Sequence, residues 1–131
     1  MKARYLRLLM NAWPPYLAAG IRVRHLSEDF RRASVVLRLG LLNRNYVNVH
    51  FGGSLFAMTD PFYMLMYIKN LGPDYVVWDK SASIDFVRPG RGTVTAEFRL
   101  GDDDLARAQQ LAAQQRSVLI VHPVDVRDAA G

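Results

Sequence analysis

Residues 52–68 read GGSLFAMTDPFYMLMYI, and the fold of the chain turns on them. Between Arg44 and Lys69 the only formal charge is Asp60. Leu55, Met58, Phe62 and Met66 make one stripe at helical spacing, Phe56, Tyr63 and Tyr67 a second, and Leu65 and Ile68 a third. A helix that is apolar on every side has to be buried on every side. The pattern therefore predicts a central helix over residues 52–70, wrapped by the rest of the chain. Leu71-Gly72-Pro73 stops it, with glycine at the C-terminal position and proline following.

A carboxylate inside such a helix is costly, because an unpaired buried charge either destabilises the fold or shifts its pKa until it is neutral. Asp60 is thus paired, a helix cap, or a group that does chemistry. Asp-Pro is a preferred N-cap and first-turn pair, so one reading has Asp60 restart a helix that breaks there. The other starts from Gly52-Gly53, where the backbone can approach a ligand and free N–H groups at a helix start point toward an oxyanion. Asp60 lies seven residues, about two turns, beyond Gly53 and hence on roughly the same helix face. In apolar surroundings its pKa is raised, which suits a base acting near neutrality. Ser54 and Thr59 are placed to hydrogen-bond it.

Outward from this segment the chain alternates. Residues 20–26 and 33–39 read as a hairpin turned by Ser27-Glu28-Asp29. A polar loop, residues 43–48, leads into the glycine pair. Residues 75–87 (YVVWDKSASIDFV) and 93–100 (TVTAEFRL) read as strands joined by Pro89-Gly90-Arg91-Gly92. Residues 102–115 form a surface helix begun by acidic residues that suit its positive end, and residues 116–126 return as a strand. At the front, residues 2–12 place Tyr5, Leu6, Leu8, Leu9 and Ala12 at helical spacing among Lys2, Arg4 and Arg7, and Trp13-Pro14-Pro15 ends that helix. It reads as a helix packed on the domain edge, with an amphipathic membrane anchor as the alternative. One buried helix with a mainly antiparallel sheet is α+β by layer logic.

Composition narrows the function. At 131 residues the chain is one domain long, and 50% hydrophobic with 22% charged residues is ordinary for a globular protein. It has no cysteine, which removes disulfides and thiol catalysis, and His25, His50 and His122 lack ligand spacing, so no metal site is expected. The net charge of +5 invites a nucleic-acid reading, but Arg22, Arg24, Arg38 and Arg99 alternate along probable strands, as on the solvated face of a sheet. No nucleic-acid partner is expected, and a modest positive field equally suits a phosphorylated small molecule. The N-terminus is no signal peptide, and the apolar stretch 55–68 falls short of the roughly 20 residues of a bilayer span. The chain reads as cytoplasmic, without a membrane span.

The run from His50 through Asp60 (HFGGSLFAMTD) resembles the H-G-G-x-L-F-x-L-A-D segment of acyl-CoA thioesterases of the phenylacetate-degradation type. The wider chain, including WPPY, NYVNVHFGGSLFAMTDPFYMLM and YVVWDKSASIDFVRPGRG, is similar to a sister family of uncharacterised, thioesterase-like hotdog proteins, a domain of unknown function. The resemblance implies a hotdog fold over residues 1–131: a curved antiparallel sheet around a long central helix, with an extra N-terminal helix over residues 1–15. It places Gly53 where the thioesterases use a backbone amide to polarise the thioester carbonyl. It places Asp60 where they keep the carboxylate that attacks or activates water. The family histidine before the glycines is Phe51 here, with His50 one place earlier, and Pro61 follows the carboxylate.

The resemblance also implies a homodimer, or a dimer of dimers, with the site across the interface. It implies coenzyme A as part of the substrate and no separate cofactor. The expected catalytic set is Asp60, Gly53, Gly52 and His50. Asn45 and Asn48 would orient water or thioester, and Tyr63 shares Asp60's stripe. Lys80, Arg88 and Arg91 would hold the phosphates, and Met58, Met64 and Met66 would line an acyl tunnel. Two readings follow: a hydrolase of acyl-CoA thioesters, or a non-catalytic binder of acyl-CoA or acyl carrier. A weaker third is a hydratase or dehydratase using His50 with Asp60. Residues 125–131 read as a strand entering a turn, and the resemblance implies one more strand beyond them.

Overall fold

Alternation builds the sheet. In the computed structural model, which describes residues 1–129, strand β1 (Ile21–Leu26) runs antiparallel to β2 (Arg32–Arg38), with Ile21 opposite Leu37 and Leu26 opposite Ala33. Strand β3 (Thr93–Arg99) pairs with β2 along its full length, from Arg32 opposite Arg99 to Arg38 opposite Thr93. A short β4 (Val126–Arg127) adds to β3, giving the order β1-β2-β3-β4. Ile21, Val23, Ala33, Val35, Leu37, Val94, Ala96 and Phe98 point inward and are buried. The expected arginines, Arg22, Arg24, Arg38 and Arg99, stand on the exposed positions between them. Across that outer face the Ser34 hydroxyl donates to the Glu97 carboxylate at 2.8 Å.

The predicted helix over residues 52–70 is two helices: α3 (Gly52–Ala57) and α4 (Phe62–Leu71). Proline explains the break, since Pro61 has no N–H to give to the preceding turn. The last bonds of the first piece are Met58 N–H to the Ser54 carbonyl and Asp60 N–H to that of Ala57, and α4 restarts with Leu65 N–H on the Pro61 carbonyl. The Asp60–Pro61 peptide bond is cis. Only the first stripe is buried as a stripe: Leu55, Met58, Phe62 and Met66 face the sheet, with the Phe62 and Phe98 rings 4.8 Å apart. Phe56, Tyr63, Met64 and Leu65 are half-buried and Ile68 is exposed, so within this chain the segment is covered on one side rather than all round.

Helix α1 (Ala3–Ala12) lies along the free edge of β1, where Asn11 donates to the Val23 carbonyl at 3.1 Å and accepts from the Val23 amide at 2.7 Å. A side-chain amide thus supplies the two bonds that a further strand would have made, which blunts the open edge. The prolines that end α1 open a second helix, α2 (Pro14–Ala19), because proline is suited to a first helical turn. Gly20, at φ 82°, terminates it in the left-handed conformation. Helix α5 (Asp102–Gln114) begins as expected, with the Gly101 amide donating to the Asp104 carboxylate at 2.8 Å.

Two expected strands are not formed. Residues 75–87 make no ladder, and Val76, Trp78, Phe86 and Val87 are exposed. Of residues 116–126 only Val126 enters the sheet, while Leu119 and Val121 are exposed. Alternation sets faces but a ladder needs an edge: α1 lies along the β1 edge, and β4 occupies part of the outer edge of β3. The end of the 125–131 segment, and the strand expected after it, lie outside the described residues.

Candidate functional site

Asp60 sits in the break between α3 and α4, and the break exposes it. Its side chain makes no hydrogen bond to the first amides of α4, whose N-cap residue is Pro61. Neither the cap nor the wrapped lone charge is what forms. Instead partial burial, and after it the neighbouring Asp79 carboxyl, push its pKa up to about 6. A neighbouring carboxylate disfavours ionisation of the Asp60 carboxyl. The backbone here is tied to the core: the Tyr16 hydroxyl donates to the Asp60 carbonyl. Burial, then the Asp60 charge, raises the Tyr16 phenol.

The glycine pair opens α3 as expected, with Ser54 and Leu55 amides already bonded to the Phe51 carbonyl. Aromatic rings lie directly on it. A Cβ on Gly52 would meet the Phe86 ring at 2.8 Å, and one on Gly53 the Phe51 ring at 2.5 Å. Only glycine fits beneath these rings where they now lie. Both rings are themselves exposed, Phe51 at 58% and Phe86 at 60%, so they form a lid with solvent above it. Because the helix breaks after α3, the two-turn spacing from Gly53 to Asp60 no longer places them on one helical face.

His50 is buried and held to the turn before β3. Its Nε2 donates to the Gly92 carbonyl at 2.7 Å, and its backbone N–H to the Gly90 carbonyl at 3.0 Å. A neutral ring that donates through Nε2 leaves Nδ1 as an acceptor, and this atom is buried without a partner among the described residues. The turn it grips carries Arg88, 4.0 Å from Asp128, and the exposed Arg91, while Lys80 is exposed on the 75–87 segment.

A family described as a domain of unknown function, DUF4442, matches residues 2–131. The chain belongs to this family. No curated protein matches the sequence. Among solved structures, a protein of unknown function and probable thioesterase from Pseudomonas aeruginosa is similar at a TM-score of 0.67 and 16% identity, over 87% of this chain and 76% of that one. A thioesterase from Haemophilus influenzae aligns at 0.59 and 19% identity, over 78% and 72% of the two chains. A structure from Shewanella oneidensis aligns at 0.60 and 20% identity, over 82% and 76%. The fold of this DUF4442 chain is accordingly the hotdog α+β fold, with its curved antiparallel sheet.

The remaining expected residues are placed variously. Asn45 spends its side-chain carbonyl on the Val47 and Val49 amides, both at 3.1 Å, shaping its own loop. Asn48 is exposed at a left-handed φ of 62°. Ser54 and Asn45 line a cavity of about 230 Å³ with Phe51, Asn43, Arg44 and Ala19. The Thr59 hydroxyl donates to the Phe56 carbonyl at 2.7 Å instead of to Asp60. Tyr63 stacks on His122 at 4.1 Å and donates to the Arg99 carbonyl at 3.3 Å, so it bridges the end of β3 and the segment that follows α5. Tyr67 shares a 2.7 Å hydrogen bond with that same His122, whose pKa burial lowers. Sequence reasoning missed Asp79 and Phe86, since both sat inside a presumed strand. The signal was the acidic residue that closes the apolar run Tyr75-Val76-Val77-Trp78.

Proposed function

We propose that this DUF4442 chain hydrolyses acyl-CoA thioesters, with Asp60 as base or nucleophile and the free amides of Gly52 and Gly53 facing the thioester oxygen. The observation that carries the reading is the Asp60 carboxyl, raised to about 6 beside Asp79, following a glycine-led helix start in a fold shared with proteins described as thioesterases. In the hydrolysis, water adds to the carbonyl, the C–S bond breaks, and the acid and the free thiol leave. Asp60 in its ionised form takes the water proton, or attacks directly and is regenerated by water. Arg88, Arg91 and Lys80 are the proposed phosphate contacts, and a homodimer bringing a second copy's carboxylate to the glycine amides is part of the proposal.

Thiol release from a panel of acyl-CoA esters tests it. Asp60→Asn is expected to lower kcat/KM by at least about 100-fold. The wild-type rate should rise with pH through about 6 as Asp60 ionises. No hydrolysis of any ester, or an unchanged Asp60→Asn rate, overturns it.

The second reading, a non-catalytic acyl-CoA or acyl-carrier binder, is favoured by the rings lying on Gly52 and Gly53 and by His50 being spent on the Gly92 carbonyl. A thermal shift with long-chain acyl-CoA and no thiol release supports it.

A further inference from the structure

The first 27 residues hold five basic side chains (Lys2, Arg4, Arg7, Arg22 and Arg24) and no acidic one, so the chain's whole net charge of +5 is carried there. The remaining residues balance. Helix α1 has two apolar faces. The inner one, with Ala3 and Met10 buried and Leu6 packed beside them, rests on the domain. At 100° per residue, Tyr5, Leu8, Leu9 and Ala12 span an arc of about 100° roughly opposite. Among the described residues nothing covers that arc: Tyr5 is 49% exposed, Leu8 58% and Leu9 57%, and Trp13 and Leu17 extend the surface onto α2 at 48% and 66%. Arg4 and Lys2 flank the stripe on its two sides, and the Arg4 guanidinium lies 4.7 Å above the Tyr5 ring.

We propose that the outer face of α1 and α2 docks on a membrane surface bearing anionic lipid headgroups, with the helix axis in the plane of the interface. Such surfaces take an apolar stripe into the headgroup boundary while flanking cations reach back to the phosphates. Tyr5 and Trp13, apolar bodies with a polar tip, are the side chains that interface favours. A second copy of this chain fits less well, because a two-fold contact sets the same patch against itself and brings Lys2 and Arg4 toward their own copies. The inference is independent of the hydrolase reading, since it uses no residue of that site.

Flotation of the 131-residue chain with phosphatidylcholine vesicles, with and without phosphatidylglycerol, tests it. Binding is expected to be at least about tenfold stronger to the anionic vesicles and to fall at high salt. The double variant Leu8→Ser/Leu9→Ser, which removes only exposed side chains, should lose about tenfold or more. Vesicle binding should shift the emission of Trp13 to the blue, a change that Trp13→Phe abolishes and Trp78→Phe keeps. Failure to float with either vesicle overturns the proposal. So does wild-type flotation by the Leu8→Ser/Leu9→Ser protein. A change from dimer to monomer in that variant, without flotation of the wild type, overturns it in favour of a second copy.

Discussion

Residues 93–99 and residues 75–87 carry the same alternating signal and meet opposite fates. TVTAEFR pairs with β2 at every position and buries Val94, Ala96 and Phe98. YVVWDKSASIDFV forms no ladder and leaves Val76, Trp78, Phe86 and Val87 in solvent. The pattern is alike and the surroundings differ: β3 meets an open neighbour in β2, whereas the β1 edge already carries α1. Period two states which face a strand would bury, and only an available edge makes it a strand. The unladdered segment is also the one that brings Asp79 to Asp60 and Phe86 to Gly52. Burial is concentrated in the paired region, and the unpaired one supplies neighbours to the candidate site, a division common in proteins.

Truncation is the sharpest way to break that contrast. Phe98→Ala removes a ring packed against Phe62 and Tyr63 and is expected to cost about 3–5 kcal/mol of unfolding free energy. Trp78→Ala, at 71% exposure, should stay within about 0.5 kcal/mol. Urea denaturation of the two variants measures both. A Trp78→Ala cost of the same size as that of Phe98→Ala would mean that residues 75–87 are packed in solution, and the contrast would fail.

The protected edge comes next. Asn11→Ala leaves the Val23 N–H and carbonyl without their partner, at a cost of about 1–3 kcal/mol. Asn11→Asp, which keeps the acceptor for the Val23 amide and loses the donor, should fall between Asn11→Ala and the wild type. Equal stability for all three would show that the edge is covered by other means.

The parts legible in the sequence were those decided by neighbours along the chain. The 21–26 and 32–38 hairpin, the stop at Gly72, the acidic start of α5 and the end of α1 before Trp13 all follow from local pattern and turn chemistry. The glycine pair at a helix start was legible too, though not the rings that lie on it. What escaped needed long-range information. Helical spacing could not weigh Pro61 against the apolar stripes on either side, and the break it makes moved Asp60 from a buried face to an exposed corner. Asp79 was hidden by its strand-like context, and the partner that holds His50 is a carbonyl 42 residues away.

The smallest expected effect is electrostatic and carries a sign that separates the two settings proposed for Asp60. Its ordinary value of 3.8 in the unfolded chain rises to about 6 in the folded one, first from burial and then from Asp79. Between those values the folded state holds a proton that the unfolded state has released, so stability falls as pH rises from about 4 to about 6 and is level above that. Asp60→Asn removes this slope. Because the carboxyl is still reached by water, the gain at pH 7 should be no more than about 1 kcal/mol, and near pH 4 the variant and wild type should coincide. His122, whose lowered pKa weakens the fold on acidification instead, is present in both proteins and cancels in the difference. Asp79→Asn should flatten only part of the wild-type slope, since burial is the larger cause. A difference of opposite sign, with the wild type gaining stability on Asp60 as pH rises, would place a cation rather than Asp79 beside it and would remove the reason for a raised base at this break.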